Sequence, residues 1–236
     1  MKVLLVSPKT PDTFWSFKHV LRFVAKKAAF PPLGLLTVAA MLPRDRELKL
    51  VDLNVSRLRD ADLRDADYVL LSAMIVHQES VREVARRCAA LGKPVLAGGP
   101  LFTTGHEAFP EIAHFVLGEA EELMPDVVAD LLAGTLQPIY RAPRFPSLEL
   151  TPVPRYDLIN PRNYVTMAVQ FSRGCPFDCE FCDIVVINGR APRTKSPGRL
   201  IAELEALRLR GWRTWSSWWT TTSSATSPAP APCSRP

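Results

Sequence analysis

Residues 68–100 read YVLLSAMIVHQESVREVARRCAALGKPVLAGGP, and this stretch decides the fold class. Tyr68–Met74 is an unbroken apolar run of strand length. His77–Leu91 places Ala85, Cys88 and Ala89 on one helical face and Arg82 and Arg86 on another. Pro94–Ala97 is a second short strand, running into Gly98-Gly99-Pro100. Continuous apolar strands alternating with helices predict a parallel sheet covered on both faces. The alternation extends both ways. Lys2–Ser7 is a strand ending at Pro8, Leu33–Leu42 a helix after Pro31-Pro32, and Leu48–Val55 a strand. His114–Leu117 is another strand, followed by Gly118 and a helix over Glu121–Leu132. Residues 1–140 are therefore expected to form a doubly wound, Rossmann-like (flavodoxin-type) α/β domain.

Such sheets take ligands at the carboxyl ends of their strands. The loops in question are Ser7-Pro8-Lys9, Ser72-Ala73-Met74, Gly98-Gly99-Pro100 and Gly118-Glu119-Ala120-Glu121. Ser7, Pro8, Ser72, Ala73, Gly98, Gly99, Pro100, Gly118 and Glu119 are thus candidate cofactor contacts. Glycines there would let backbone approach a ligand and leave amides free. Equally, Gly98-Gly99 could be a simple turn. The dinucleotide fingerprint G-x-G-x-x-G is absent after the first strand, which argues against a standard NAD site.

Composition narrows the class. The 236 residues are 47% apolar and 22% charged, and the formal charge of +5 is spread without a basic block. That pattern gives nucleic-acid binding little support. No apolar run reaches the roughly 18 residues of a membrane helix. Met1–Pro8 has too short an apolar core for a signal peptide, and it lacks a small-residue cleavage site. Five cysteines, three of them between 175 and 182, do not make a secreted disulfide framework. A cytoplasmic chain with reduced thiols is the expectation.

Six prolines between 138 and 161 preclude regular helix, so 141–163 is read as an extended linker. Tyr164–Ser172 then alternates as a strand and delivers Arg173–Asp183, RGCPFDCEFCD. Cys175, Cys179 and Cys182 have C-x3-C-x2-C spacing. Three thiolates on one loop suit a polynuclear iron centre, which normally takes four ligands, so one iron would stay open to a small molecule. Phe181 would offer an apolar or stacking face beside it. The competing readings are a structural zinc site, which lacks a nearby fourth ligand, and three unrelated thiols. Cys88 on its helix face reads as core.

The cysteine motif, with an aromatic before its last cysteine, resembles the signature of the radical S-adenosylmethionine superfamily. A Rossmann-like domain preceding it resembles the cobalamin-binding class, with hopanoid-methylase-like members nearest. Phe30-Pro31-Pro32-Leu33-Gly34-Leu35-Leu36, Gly98-Gly99-Pro100 and Gly118-Glu119-Ala120-Glu121 are similar to that class. The resemblance spans residues 1 to about 213. It implies that Cys175, Cys179 and Cys182 ligate a 4Fe-4S cluster whose fourth iron binds S-adenosylmethionine. It further implies cleavage to a 5′-deoxyadenosyl radical, hydrogen abstraction from an unactivated carbon, and methyl transfer from cobalamin. A flavodoxin or ferredoxin would supply electrons, and the substrate would be a small or lipid-like molecule. The D-x-H-x-x-G motif that supplies cobalt's lower histidine ligand in many cobalamin proteins is absent. His77 follows the third strand and could face the ligand, but it reads rather as a surface or capping histidine; no histidine ligand on cobalt from this domain, or only weak cobalamin binding, is expected.

Residues 164–213 would be the start of a radical-SAM α/β barrel, ending with a helix over Pro197–Leu209. Residues 214–236 (TWSSWWTTTSSATSPAPAPCSRP) contain no Leu, Ile, Val, Phe, Asp, Glu or Lys, and are expected to be an aberrant, disordered tail. A GC-rich reverse translation of 214–226, shifted by one base, reads DVVFVVDDNFIGN, a strand pattern, so the tail reads as frameshifted. On that reading the chain is a truncated fragment whose first barrel strand keeps an unpaired edge; it is expected to be inactive or unstable beyond the N-terminal domain, the family function belonging to the full-length parent. The alternative function is a non-catalytic cobalamin- or nucleotide-binding module with a vestigial cluster loop.

Overall fold

The computed structural model describes residues 1–13, 21, 23–177, 179–180 and 182–213, and the backbone of 216–220. Six strands form one parallel sheet: β1 (Lys2–Ser7), β2 (Glu47–Asp52), β3 (Tyr68–Ser72), β4 (Val95–Gly98), β5 (His114–Leu117) and β6 (Ile139–Arg141). Their order is β2-β1-β3-β4-β5-β6. β1 lies in register with β2 from Lys2↔Glu47 to Ser7↔Asp52, and with β3 from Val3↔Tyr68 to Val6↔Leu71. The connection direction reverses between β1 and β3, which makes the loops there the switch point.

Strand alternation sorts β1 onto two cores. Leu4 and Val6 join Val81, Val84, Ala85 and Cys88 of α3 (Gln78–Ala90), with Leu63 of α2 (Asp60–Asp65) and Phe102 of α4 (Pro100–Gly105). Val3 and Leu5 join Leu35 and Ala39 of α1 (Leu33–Met41) and Met124 and Val127 of α5 (Met124–Ala133) on the opposite face. Helices on both faces confirm the doubly wound class expected from the alternation. Burial pushes the Cys88 thiol up to about 11, as befits a core residue.

The second sheet has the order β8-β7-β9: β7 (Met167–Arg173), β8 (Arg193–Thr194) and β9 (Ser216–Thr220). Helix α6 (Ile184–Asn188) follows the cysteine loop, and α7 (Pro197–Leu209) covers β7 and leads towards β9. α1 is apolar on all sides because it is covered on two. Leu35 and Ala39 face the six-stranded sheet, while Leu36 packs with Tyr156, Tyr164, Met167, Val169 and Leu207. The two halves therefore share one helix.

Several expectations shift. Strand β2 stops at Asp52 rather than 55, because Asn54 donates its backbone N–H to the Asp52 carboxylate in a local turn. An unexpected strand, β6, closes the first domain and reaches one residue into the region read as linker, where Arg141 pairs with Leu117; the linker itself holds short 3-10 turns at 148–150, 156–158 and 161–163. Helix α5 begins at Met124 rather than 121, since Ala120 carbonyl closes a turn onto Leu123 and Met124. Ser216–Thr220, within the stretch expected to be disordered, is strand and pairs parallel with β7. That edge of β7 is consequently covered, and the Thr- and Trp-containing composition is compatible with it. The remainder of the tail, 221–236, lies outside the described residues. Replacing Leu36 by Ala should lower stability by roughly 2–5 kcal/mol, read from the urea midpoint, since the side chain is fully buried between both halves.

Candidate functional site

The carboxyl edge of the large sheet is organised by Asn54. Its side chain donates to the Pro8 carbonyl (3.2 Å) and accepts the Thr10 N–H (2.8 Å), fastening the loop after β1 to the turn after β2. Asp52 accepts from the Asn54 side chain (2.8 Å) and from the Tyr164 hydroxyl (3.0 Å), a residue 112 positions away just before β7. Burial raises the Asp52 carboxyl above its ordinary range even though these donors pull it down.

After β3, Met74, Ile75 and Val76 form an exposed apolar ledge on a 3-10 turn. His77 lies behind it, 9% exposed. Its Nδ1 accepts the Met74 N–H at 3.2 Å and its Nε2 sits 3.3 Å from the Thr10 hydroxyl. Burial lowers its pKa, keeping the ring neutral, and both nitrogens have partners. The capping role expected of His77 is what the geometry gives. Gly99 has φ +96°, and a Cβ there would lie 3.0 Å from the Ala73 carbonyl and the Ser72 hydroxyl, so only glycine lets the two loops meet.

Not every proposed edge contact is free for a ligand. Ser7 and Pro8 are buried, and the Ser7 carbonyl accepts from Leu53 N–H. Ala73 donates its N–H to the Gly98 carbonyl, and Gly118 donates its own to the Thr103 hydroxyl (3.1 Å). The expected free amides at these two positions are thus consumed inside the protein. Ser72, Gly98, Gly99 and Pro100 remain half-buried beside the apolar ledge. A flat, largely apolar macrocycle with polar rim groups is chemically compatible with this edge, as cobalamin would require.

The cysteine loop leaves the carboxyl end of β7. Gly174 has φ +94°, and a Cβ there would fall 2.4 Å from the Ala191 carbonyl oxygen, so the turn into Cys175 requires glycine. Cys175 is buried and donates its N–H to the Gly189 carbonyl (3.0 Å). Cys182 is half-buried, Cys179 is exposed, and Cys182 N–H closes a turn onto the Cys179 carbonyl (3.0 Å). Among the described residues no three His, Cys, Asp or Glu side chains gather around a single ion. A tetrahedral ion needs its sulfurs at one common point, whereas thiolates of a four-iron cube each meet a different iron. Three soft thiol donors on one loop are chemically compatible with an iron–sulfur cluster. Phe181 lies outside the described residues.

Glu119, expected at the ligand edge, faces the cysteine loop instead. It is buried, and Arg173 (2.8 Å), Arg193 (2.9 Å) and Asn188 (3.2 Å) all donate to its carboxylate. Two guanidinium groups and an amide outcompete any ligand for those oxygens. Glu121 pairs with Arg173 as well (2.8 Å) and accepts from the Thr151 hydroxyl (3.0 Å). Burial pushes the Glu119 carboxyl up, but the hydrogen bonds and charges of Arg193 and Arg173 outweigh it and hold it below its ordinary value. Asp52, Asn54, Tyr164, Arg173 and Arg193 escape a reading based on loops and motifs. The one clue was their type: polar residues at strand ends otherwise apolar.

Residues 22–128 match the B12-binding domain family. The chain is 44% identical over 215 residues to an uncharacterized methyltransferase of Synechocystis sp., covering 90% of this chain and 40% of the relative. It is 31% identical over 211 residues to the hopanoid C-2 methylase of Rhodopseudomonas palustris, covering 87% of this chain and 40% of that protein. It thus spans about two-fifths of the length of these relatives. The radical S-adenosylmethionine methyltransferase TsrM from Kitasatospora setae, solved with cobalamin and a [4Fe-4S] cluster, has the same fold: TM-score 0.62 at 16% identity, over 89% of this chain and 47% of TsrM.

The depressed Glu119 carboxyl fixes a pH signature. Its contribution to stability is present above its ordinary value of 4.5 and is lost as pH falls through the depressed one. Urea midpoints followed from about pH 6 to about pH 3 should fall, and Glu119→Gln should flatten that limb.

Proposed function

We propose that the chain, similar as it is to the B12-binding domain model and to these methyltransferases, belongs to the cobalamin-binding radical S-adenosylmethionine family and serves methyl transfer to an unactivated carbon, carrying the corrinoid domain and the cluster-bearing start of the barrel. The observation that carries this reading is the three-cysteine loop at the carboxyl end of β7, fastened against the B12-type sheet by Glu119. Residues 1–140 are the corrinoid domain, and 164–213 begin the barrel. Cys175, Cys179 and Cys182 are the cluster ligands, and Phe181 supplies the aromatic that precedes the last of them. Ser72, Gly98, Gly99 and Pro100 form the corrinoid rim, with Met74, Ile75 and Val76 as its floor.

When bound, these groups supply reductive cleavage of S-adenosylmethionine and a transferable methyl group. The chain's own residues do the rest. The buried Cys175 and the glycine-demanding turn at Gly174 fix where the loop starts. The exposed apolar ledge of Met74, Ile75 and Val76 would be covered by a bound corrinoid and would help keep water from it. Neutral, doubly engaged His77 holds the ledge without offering a lone pair to cobalt. The hydrocarbon-type substrate pocket and the electron donor, a flavodoxin or ferredoxin, belong to the whole protein. No helix among the described residues is long and apolar enough to cross a membrane, and a cytoplasmic setting suits an oxygen-sensitive cluster.

Anaerobic reconstitution with iron and sulfide tests the reading. The chain should take up four irons, show the cluster's visible absorbance and, once reduced with dithionite, cleave S-adenosylmethionine. Cys179→Ala should abolish both while corrinoid still binds. Preferential uptake of zinc, or unchanged absorbance in Cys179→Ala, overturns it. Corrinoid binding without cluster or cleavage in the wild-type chain would instead identify a non-catalytic cobalamin module. For bound cob(II)alamin, the paramagnetic spectrum should show no nitrogen splitting from a lower ligand and no change in His77→Ala. A nitrogen triplet lost in that variant would refute the assignment of His77.

A further inference from the structure

Every segment that flanks the cysteine loop converges on one carboxylate. Arg173 ends β7 immediately before Gly174-Cys175. Asn188 ends α6, directly before Gly189, whose carbonyl accepts the Cys175 N–H. Arg193 opens β8, lies over the Phe145 ring at 5.2 Å, and donates also to the Asn188 carbonyl at 2.9 Å. All three side chains reach Glu119, and Glu119 belongs to the loop after β5 in the other half of the molecule. Glu121 adds a second anchor on Arg173. These side chains are themselves shielded: Arg173 12%, Glu119 5% and Glu121 2% exposed.

We infer that Glu119, backed by Glu121, is a positioning residue for the cluster loop, setting the place of Cys175 through Arg173, Arg193 and Asn188. This rests on the proposed role of the three cysteines as cluster ligands. Largely desolvated charge-assisted hydrogen bonds of this kind fix direction more than they add stability. The two carboxylates sit on the loop after β5 of the B12-type domain, so the cysteine loop's position is referred to that domain rather than to the barrel strands alone. The Gly-Glu-Ala-Glu segment thereby serves the neighbouring cofactor site rather than the edge of its own sheet.

The test begins on the metal-free full chain, where it is independent of cluster chemistry. Alkylation of each cysteine is followed by mass spectrometry in wild type, Glu119→Gln, Glu121→Gln and Arg173→Lys. Cys175 should react about tenfold faster in Glu119→Gln and Arg173→Lys and less so in Glu121→Gln, with Cys88 protected throughout. An unchanged Cys175 rate in Glu119→Gln overturns the inference. A rise shared equally by Cys88 reports a loosened fold; Glu121→Gln is then the deciding variant, and an unchanged Cys175 rate there overturns the inference. The anaerobically reconstituted chains give the second readout. In Glu119→Gln the reduced cluster's paramagnetic spectrum should lose its shift on adding S-adenosylmethionine, even where iron content is restored. A wild-type shift in that variant overturns the inference. If the wild-type chain takes up no cluster while Cys175 protection still depends on Glu119, the reading of the cysteines fails and the positioning role of Glu119 stands.

Discussion

A carboxylate buried between two guanidinium groups holds this molecule's two halves in one geometry. Taking Glu119, Arg173 and Arg193 out of water is costly, and the mutual attraction offsets it only because the groups are closely hydrogen bonded. Such a cluster contributes little net stability against an apolar replacement, yet losing one member strands a buried charge at a cost of roughly 3–5 kcal/mol. Its effect is therefore on which arrangement is allowed. The Tyr164–Asp52 hydrogen bond and the Leu36 contacts act at two other points of the same boundary. Three dissimilar interactions — ionic, neutral polar and apolar — leave little room for sliding between the halves.

The two candidate cofactor regions differ in electrostatic character. Around the sheet edge, burial favours neutral groups: His77 is held deprotonated and Asp52 is pushed towards its protonated form. Next to an exposed ledge of Met74, Ile75 and Val76, that makes a surface suited to a macrocycle and poor in charge. Around the cysteine loop the charges are retained and paired.

Periodicity made the large sheet legible, because each strand buried on both faces is apolar throughout and each helix but α1 carries a polar side. Helix Pro197–Leu209 was readable to the residue, with Pro at its first turn. Strand β6 was not, since three residues among prolines give no pattern, and their pairing comes from the waiting edge of β5. The cysteine spacing singled out the loop after β7 in the sequence, because all three thiols lie within eight residues. Glu119 was misplaced because position in sequence, after a strand of the large sheet, pointed to the ligand edge. Its partners lie 54 to 74 residues downstream, and no local rule connects them. Asp52 and Tyr164 were invisible for the same reason, being coupled only in three dimensions.

The all-round apolar surface of α1 also bears on what counts as a unit here. A cut near residue 140 would follow the sheet topology cleanly, yet it would bare Leu36 and deprive Asp52 of its phenolic donor. The fragment so released would carry a greasy spot beside a poorly solvated acid, conditions that favour self-association. Autonomy of folding and the boundary drawn by chain connectivity thus do not coincide in this protein.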